Sequence, residues 1–230
     1  MKFNHDNISP LDSRYANKIS ELRENFSESA LIKIRFDIEI EWLLYICVNL
    51  PKTFKPLSKQ SIKKITKFKD SFDNKSVLKI KKIESTTNHD VKAVEYYIRD
   101  YFLKDKVLST YTHLIHFGLT SEDINSLSYA HMIKNGIFIY VKELDKVNKI
   151  LKNYSKKWAK QPFLARTHGQ AASPSTLGKE FKVFHERINK EMQHLKSIKP
   201  LAKFSGATGN YHTFDIVDSK LNWIKLNKRF

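Results

Sequence analysis

The 230 residues carry 41 lysines and arginines against 24 aspartates and glutamates, a formal net charge of +17, and 41% of them are apolar. That apolar share excludes a disordered chain and is enough for a sizeable core. No apolar run approaches the ~18 residues of a membrane span, and the polar stretch Met1 to Pro10 lacks the apolar centre of a secretory signal. The single cysteine, Cys47, excludes an intrachain disulfide; within the apolar run Trp42 to Val48 it reads as a core residue in a reducing, cytoplasmic setting. Only seven of the 41 basic residues are arginine and the lysines are scattered, so the charge reads as solvated helix faces. A nucleic-acid partner is therefore not expected, although the field would draw an anionic substrate.

Six glycines and six prolines are few for an all-β chain, and the long segments show a helical period, so the fold class is all-α. The first segment, to about Asn25, is irregular and contains Ser13-Arg14-Tyr15. Ser27 is the expected N-cap of a helix running to Leu50, with Leu31, Ile34, Ile38, Trp42 and Tyr45 stepping by three or four. Ser58 or Ser61 caps a second helix with Ile62, Ile65, Phe68 and Phe72 on one face. Glu84 to Asp90 reads as a polar loop, with Asn88 or Asp90 capping the helix that follows; His89 and Lys92 then lie in or near its first turn, where the helix dipole favours an anion.

Thr120 with Asp123 approximates a capping box and opens the longest helix, Glu122 to Trp158, roughly 55 Å at 1.5 Å per residue. Ala130, Ile133, Ile137, Tyr140, Leu144, Val147, Leu151, Tyr154 and Trp158 form a heptad seam along it. Arg166-Thr167-His168-Gly169-Gln170 is expected as a polar, flexible junction, after which Pro174 stands near N1 of an antiparallel helix ended by Pro200. Phe204 to Asn210, small and with two glycines, allows close backbone approach to a ligand. Two seams cannot close a core without further helices, so the bundle is expected to be incomplete.

Four polar stretches at helix ends thus hold His89, His168, Thr120, Ser121, Gln170 and Asn210. Metal-ligand spacings, phosphate-loop glycine patterns and the Gly-x-Ser-x-Gly elbow are absent, so neither metal nor cofactor is expected. Acid–base chemistry by histidine on an anionic substrate is what remains.

Ser13-Arg14-Tyr15, the run Thr86 to Tyr96 (with Thr-Asn-His-Asp-Val-Lys), His116 to Asn125 (with Gly-Leu-Thr-Ser-Glu-Asp) and Arg166 to Gln170 resemble the adenylosuccinate lyase family, bacterial type, of the fumarase/aspartase superfamily. The resemblance implies a helical N-terminal domain over 1–110, a first part of a central long-helix bundle over 111–230, and a homotetramer with active sites shared between subunits. It implies β-elimination of fumarate from adenylosuccinate and from succinyl-aminoimidazole-carboxamide ribotide. His168 would be the general acid. Arg14, Tyr15, Asn88, His89 and Asp90 would contact the nucleotide, Thr120 and Ser121 the succinyl carboxylates, and Ser205 to Asn210 would line the site, with Thr167 and Gln170 in support. The family's general base, a serine on a loop with a Met-Pro-x-Lys-x-Asn run, has no counterpart in this sequence. The chain therefore reads as an N-terminal half, inactive alone. Another fumarate-releasing lyase, or an inactive basic helical scaffold or nucleic-acid-binding remnant, are the alternatives.

Overall fold

A computed structural model describes residues 9–230, so most of the polar N-terminal stretch lies outside the described residues. The chain divides into two compact units, one running up to Met132 and resuming at Leu201–Phe230, the other Ile133–Pro200. Two 3-10 turns, Pro10–Asp12 and Ala16–Lys18, lead into α1 (Ser20–Phe26) and α2 (Glu28–Asn49). The Ser27 hydroxyl accepts from Ala30 N at 3.2 Å, which satisfies one of the free amides at the start of α2.

The first unit is built on α2. Its residues Ile32, Phe36, Ile40, Trp42, Leu43, Ile46 and Cys47 are all buried. Of the five positions taken from the sequence stripe, only Trp42 is fully buried; Leu31, Ile34, Ile38 and Tyr45 are half-buried. The helix is apolar nearly all round, and a helix covered on several sides has no single stripe to find. α3 (Lys59–Asp70), capped by Ser58, packs Ile65 and Phe68 against it, Phe68 lying edge-on to Phe36 at 5.1 Å between ring centres. α4 (Asn74–Thr87) and α5 (Asp90–Phe102) follow as an adjoining pair. The Trp42 indole donates to Phe117 O at 2.8 Å, and Phe204, Phe214 and Phe230 meet its ring edge-to-face at 5.0–5.9 Å. These contacts bind the 114–119 segment and the C-terminal helices α8 (His212–Val217) and α9 (Trp223–Arg229) to α2.

The long helix α6 spans Ser121–Lys157, close to the expected limits. In the second unit it runs antiparallel to α7 (Leu177–Ser197): Trp158 and Tyr154 pack on Phe181, at 5.2 and 5.3 Å, while Asn148 bonds His185 at 2.8 Å. The seam divides in two. Ile137, Leu144, Leu151 and Trp158 are half-buried, whereas Ile133, Tyr140, Val147 and Tyr154 are exposed by 38–58%.

The junction between α6 and α7 is a β-hairpin, where a flexible turn was expected. Strands β1 (Pro162–Thr167) and β2 (Gln170–Thr176) pair antiparallel, Thr167 opposite Gln170, with a slip in register between Leu164 and Arg166. Pro174 lies within β2, and α7 begins later, capped by the Thr176 hydroxyl. Both strands of a two-stranded ribbon are edges, which is where a proline without N–H is tolerated. Among the described residues the fold is otherwise helical, and no helix is long and apolar enough to cross a membrane.

Candidate active site

The α4–α5 turn is helical further than its polar residues suggest, because Ser85, Thr86 and Thr87 return their hydroxyls to carbonyls of the preceding turn. α4 ends at Thr87, and Asn88, in the left-handed region at φ 51°, reverses the chain. His89 is the N-cap of α5, a role expected of Asn88 or Asp90: its Nδ1 accepts from Lys92 N at 3.3 Å. A ring nitrogen that accepts an amide hydrogen leaves the proton on Nε2. That Nε2 lies 3.4 Å from the Ser121 hydroxyl, the first residue of α6. The N-termini of α5 and α6 thereby adjoin.

Asp90 is held from both sides. Its carboxylate accepts from Val91 N at 2.8 Å and pairs with the buried Arg35 at 2.8 Å. Partial burial pushes its pKa up, but the Val91 amide and the Arg35 guanidinium outweigh that and hold it below the usual carboxylate range. Arg14 lies 5.4 Å from the ring centre of Tyr15, and both are exposed.

Three groups that the sequence left without a role sit beneath this surface. His116, at φ 60°, brings Nδ1 to 2.6 Å from Glu39 of α2 and Nε2 to 3.7 Å from Glu95 of α5; Glu95 also takes Lys92 Nζ at 2.8 Å. Burial disfavours the imidazolium, yet the hydrogen bond to Glu39 and the charges of Glu39 and Glu95 raise the His116 pKa above its ordinary value. Burial likewise raises that of Glu39, against the lowering effect of His116. The donor atoms of Glu39, Glu95 and His116 lie within 4.8 Å of one another, a set of the kind that could hold a metal ion. Here the imidazole and the Lys92 ammonium supply the countercharge that two buried carboxylates need.

Beyond His116 the chain turns through Gly118, at φ 73°, where a Cβ would meet the Phe214 ring at 2.4 Å. Thr120 and Ser121 follow. Asp123 completes one half of the expected capping box: its carboxylate accepts from Thr120 N at 3.0 Å. It also takes Ser205 N and Gly206 N, each at 3.0 Å, and so holds the 204–210 loop beside the α6 N-terminus. Within that loop Thr208 donates to Asn210 Oδ1. The Thr-x-x-Asp spacing pointed to a cap; nothing local in the sequence tells that the same carboxylate collects amides from 82 residues away.

His168 belongs to the second unit and forms, with Gly169, the two-residue tip of the hairpin; their φ values of 54° and 75° are those of a type I′ turn. Thr167 and Gln170 are the closing pair, and all four are exposed. The turn demands left-handed backbone twice, which Gly169 meets freely and His168 meets under strain.

The model of the lyase family matches residues 13–228. Adenylosuccinate lyase of Buchnera aphidicola subsp. Schizaphis graminum is 39% identical over 226 residues, covering 97% of this chain and 49% of that protein. Adenylosuccinate lyases of Dictyostelium discoideum and of Escherichia coli (strain K12) are 38% and 36% identical over 233 and 228 residues. The chain spans about half the length of these relatives. Among solved structures, a fumarate lyase from Mesorhizobium sp. BNC1 superimposes with a TM-score of 0.70 at 18% identity, over 87% of this chain and 44% of that one. A beta-carboxy-cis,cis-muconate cycloisomerase from Acinetobacter calcoaceticus sp. ADP1 does so with 0.66, also at 18% identity, over 90% and 48%. At that identity the two speak for the fold.

Proposed function

Since the chain belongs to the lyase family, whose pattern runs through residues 13–228, we propose that it supplies the acid and much of the substrate surface of an adenylosuccinate lyase. The reaction is β-elimination: a base removes the proton from the succinyl carbon, the C–N bond breaks, fumarate leaves, and an acid protonates the departing nitrogen. AMP is the second product from adenylosuccinate, and succinyl-aminoimidazole-carboxamide ribotide reacts in the same way.

The observation that carries this reading is the meeting of two helix N-termini at the 3.4 Å contact between His89 and Ser121. The Val91 and Lys92 amides of α5 are already capped by Asp90 and His89, but each helix end still carries about half a positive charge, and two such ends side by side favour an anionic group. Thr120 and Ser121 then hold the succinyl carboxylates, Asn88, His89, Arg14 and Tyr15 the nucleotide, and Ser205 to Asn210 the wall. Asp90, already bonded to Arg35 and Val91 N, acts by fixing the α5 start. His168 is the proton donor, with Thr167 and Gln170 beside it at the hairpin tip. The base is not assigned to any residue of this chain.

The reading extends to a cytoplasmic homotetramer, with an N-terminal domain over 1–110 and a bundle domain from 111 onward. Its support is the exposed Ile133, Tyr140 and Val147 of the α6 seam together with a groove of about 790 Å³ whose apolar lining includes Ile137, Phe138, Val141 and Ile198. Further long helices, from other copies of the chain, would cover both.

The test is fumarate release from adenylosuccinate by the chain supplied with the C-terminal half of the Escherichia coli relative. His168→Ala is expected to lower turnover by about 10²–10⁴. Unchanged turnover in that variant sinks the role of His168. Release of fumarate from argininosuccinate, aspartate or malate, with none from adenylosuccinate, would overturn the substrate.

A further inference from the structure

Asp123 is fully buried, and each of its oxygens has two donors. Oδ2 accepts from Thr120 N and Gly206 N, both at 3.0 Å. Oδ1 accepts from Ser205 N at 3.0 Å and from Lys203 Nζ at 2.5 Å. Lys203 Nζ also donates to Gly206 O at 2.6 Å, while its amide donates to the Ser126 hydroxyl at 2.8 Å. A buried carboxylate is stable only with a countercharge and donors on its lone pairs, and this one has both. One anion therefore joins two segments distant in sequence: the start of α6, through the Thr120 amide, and the 203–206 stretch, through two successive loop amides and the lysine that leads into them. Ser205 N and Gly206 N are turned toward the protein by this bond, while Thr208 and Asn210 stay exposed.

We propose that Asp123 is a positioning residue, which locks the Ser205–Gly206 backbone to the α6 N-terminus. Thr120, Ser121 and the 205–210 loop then meet a dicarboxylate as one preformed surface. The proposal rests on the lyase reading for the ligand but not for the geometry. Hydrogen-bond donors that are aligned before the ligand arrives need no ordering on binding. Neither oxygen of Asp123 can be replaced by an NH2 without pointing that group at two donors, so asparagine, though the same size, does not fit.

The experiment compares the wild-type chain with Asp123→Asn, Asp123→Glu and Lys203→Gln, each supplied with the C-terminal half of the Escherichia coli relative as in the fumarate assay. Two quantities are read: amide hydrogen exchange residue by residue, and succinate affinity by NMR titration. Asp123→Asn is expected to speed exchange at Thr120, Ser205 and Gly206 by about tenfold or more, the equivalent of one lost charged hydrogen bond. Protection in the α2–α5 core stays, and succinate binding weakens by a similar factor. Lys203→Gln, which keeps the three amide bonds to Asp123 but removes its countercharge and the bond to Gly206 O, is expected to loosen the same amides and weaken succinate, and decides the matter if Asp123→Asn does not fold. Asp123→Glu restores part of the affinity. Wild-type exchange at Ser205 and Gly206 in folded Asp123→Asn, or unchanged succinate affinity alongside loosened amides, overturns the positioning role and leaves the lyase reading intact. A wild-type chain that binds no succinate overturns the dicarboxylate reading itself, and the positioning role falls with it.

Discussion

Gly178 offers a sharp test of how α7 sits on α6. It lies in the first turn of α7, is buried, and donates its amide to Trp158 O at 2.8 Å; next to it Leu177 N donates to Gln161 O at 3.0 Å. A Cβ at this position would stand 2.4 Å from Ser155 O and 2.6 Å from Ala159 N and Cα, all backbone atoms. Gly178→Ala must therefore part the two helices by about 1 Å to reach an ordinary 3.4 Å contact. Overpacking of this kind costs about 1–3 kcal/mol, and the two stretched hydrogen bonds about 1 kcal/mol each. The better helix propensity of alanine returns about 1 kcal/mol at most. The net expectation is a loss of about 2–4 kcal/mol, or roughly 1–2 M in the urea midpoint followed by far-UV circular dichroism. Faster amide exchange at Leu177 should accompany it. A midpoint equal to or above that of the wild type would refute the close approach of the two backbones.

Two further outcomes follow from the first unit and the seam. Because the native pKa of His116 is raised above 6.5, folding binds its proton, and the stabilisation is present below about pH 6.5 and lost as pH rises through the native value. Glu39, also raised, acts in the same direction, and the other charged groups facing the imidazole are Glu95 and Lys92. Urea midpoints between pH 6 and 9 should thus fall for the wild type and flatten for His116→Gln; equal slopes would reject the charged imidazole. Replacing the exposed seam residues Tyr140 and Val147 by glutamate should reduce self-association in analytical ultracentrifugation while far-UV circular dichroism stays unchanged. An unaltered sedimentation coefficient at high protein concentration would show that this face is not an interface.

The sequence displayed the helices well and their surroundings poorly. Ser27, Ser58 and the Thr120–Asp123 pair marked helix starts because capping is a local affair, decided within four residues. The heptad seam from Ala130 to Trp158 was legible for the same reason. Which half of it α7 covers was not, since that is settled by a partner some 30 residues on. Ser85 to Thr87 look like loop in the sequence, because short polar side chains favour turns unless, as here, they bond back to the helix carbonyls. The hairpin leaves little trace in the sequence because Phe163 to Thr167 is too short to establish a period of two. His168-Gly169 lacks the asparagine or aspartate that usually leads a type I′ turn. Among the site residues, short motifs marked His89 and Ser121 without showing that the two meet. Glu39, Glu95 and His116 come from three distant segments, and only folding makes them neighbours.

The hairpin that carries His168 has most of its residues exposed and none buried, and among the described residues no third strand joins it. Such a ribbon is marginally stable in water on its own, so the direction in which its tip points is set by whatever closes over it. For the proposed lyase this makes the proton donor conditional on company. Turnover per chain should climb with protein concentration until subunits saturate one another, and simple dilution would silence the enzyme without any inhibitor.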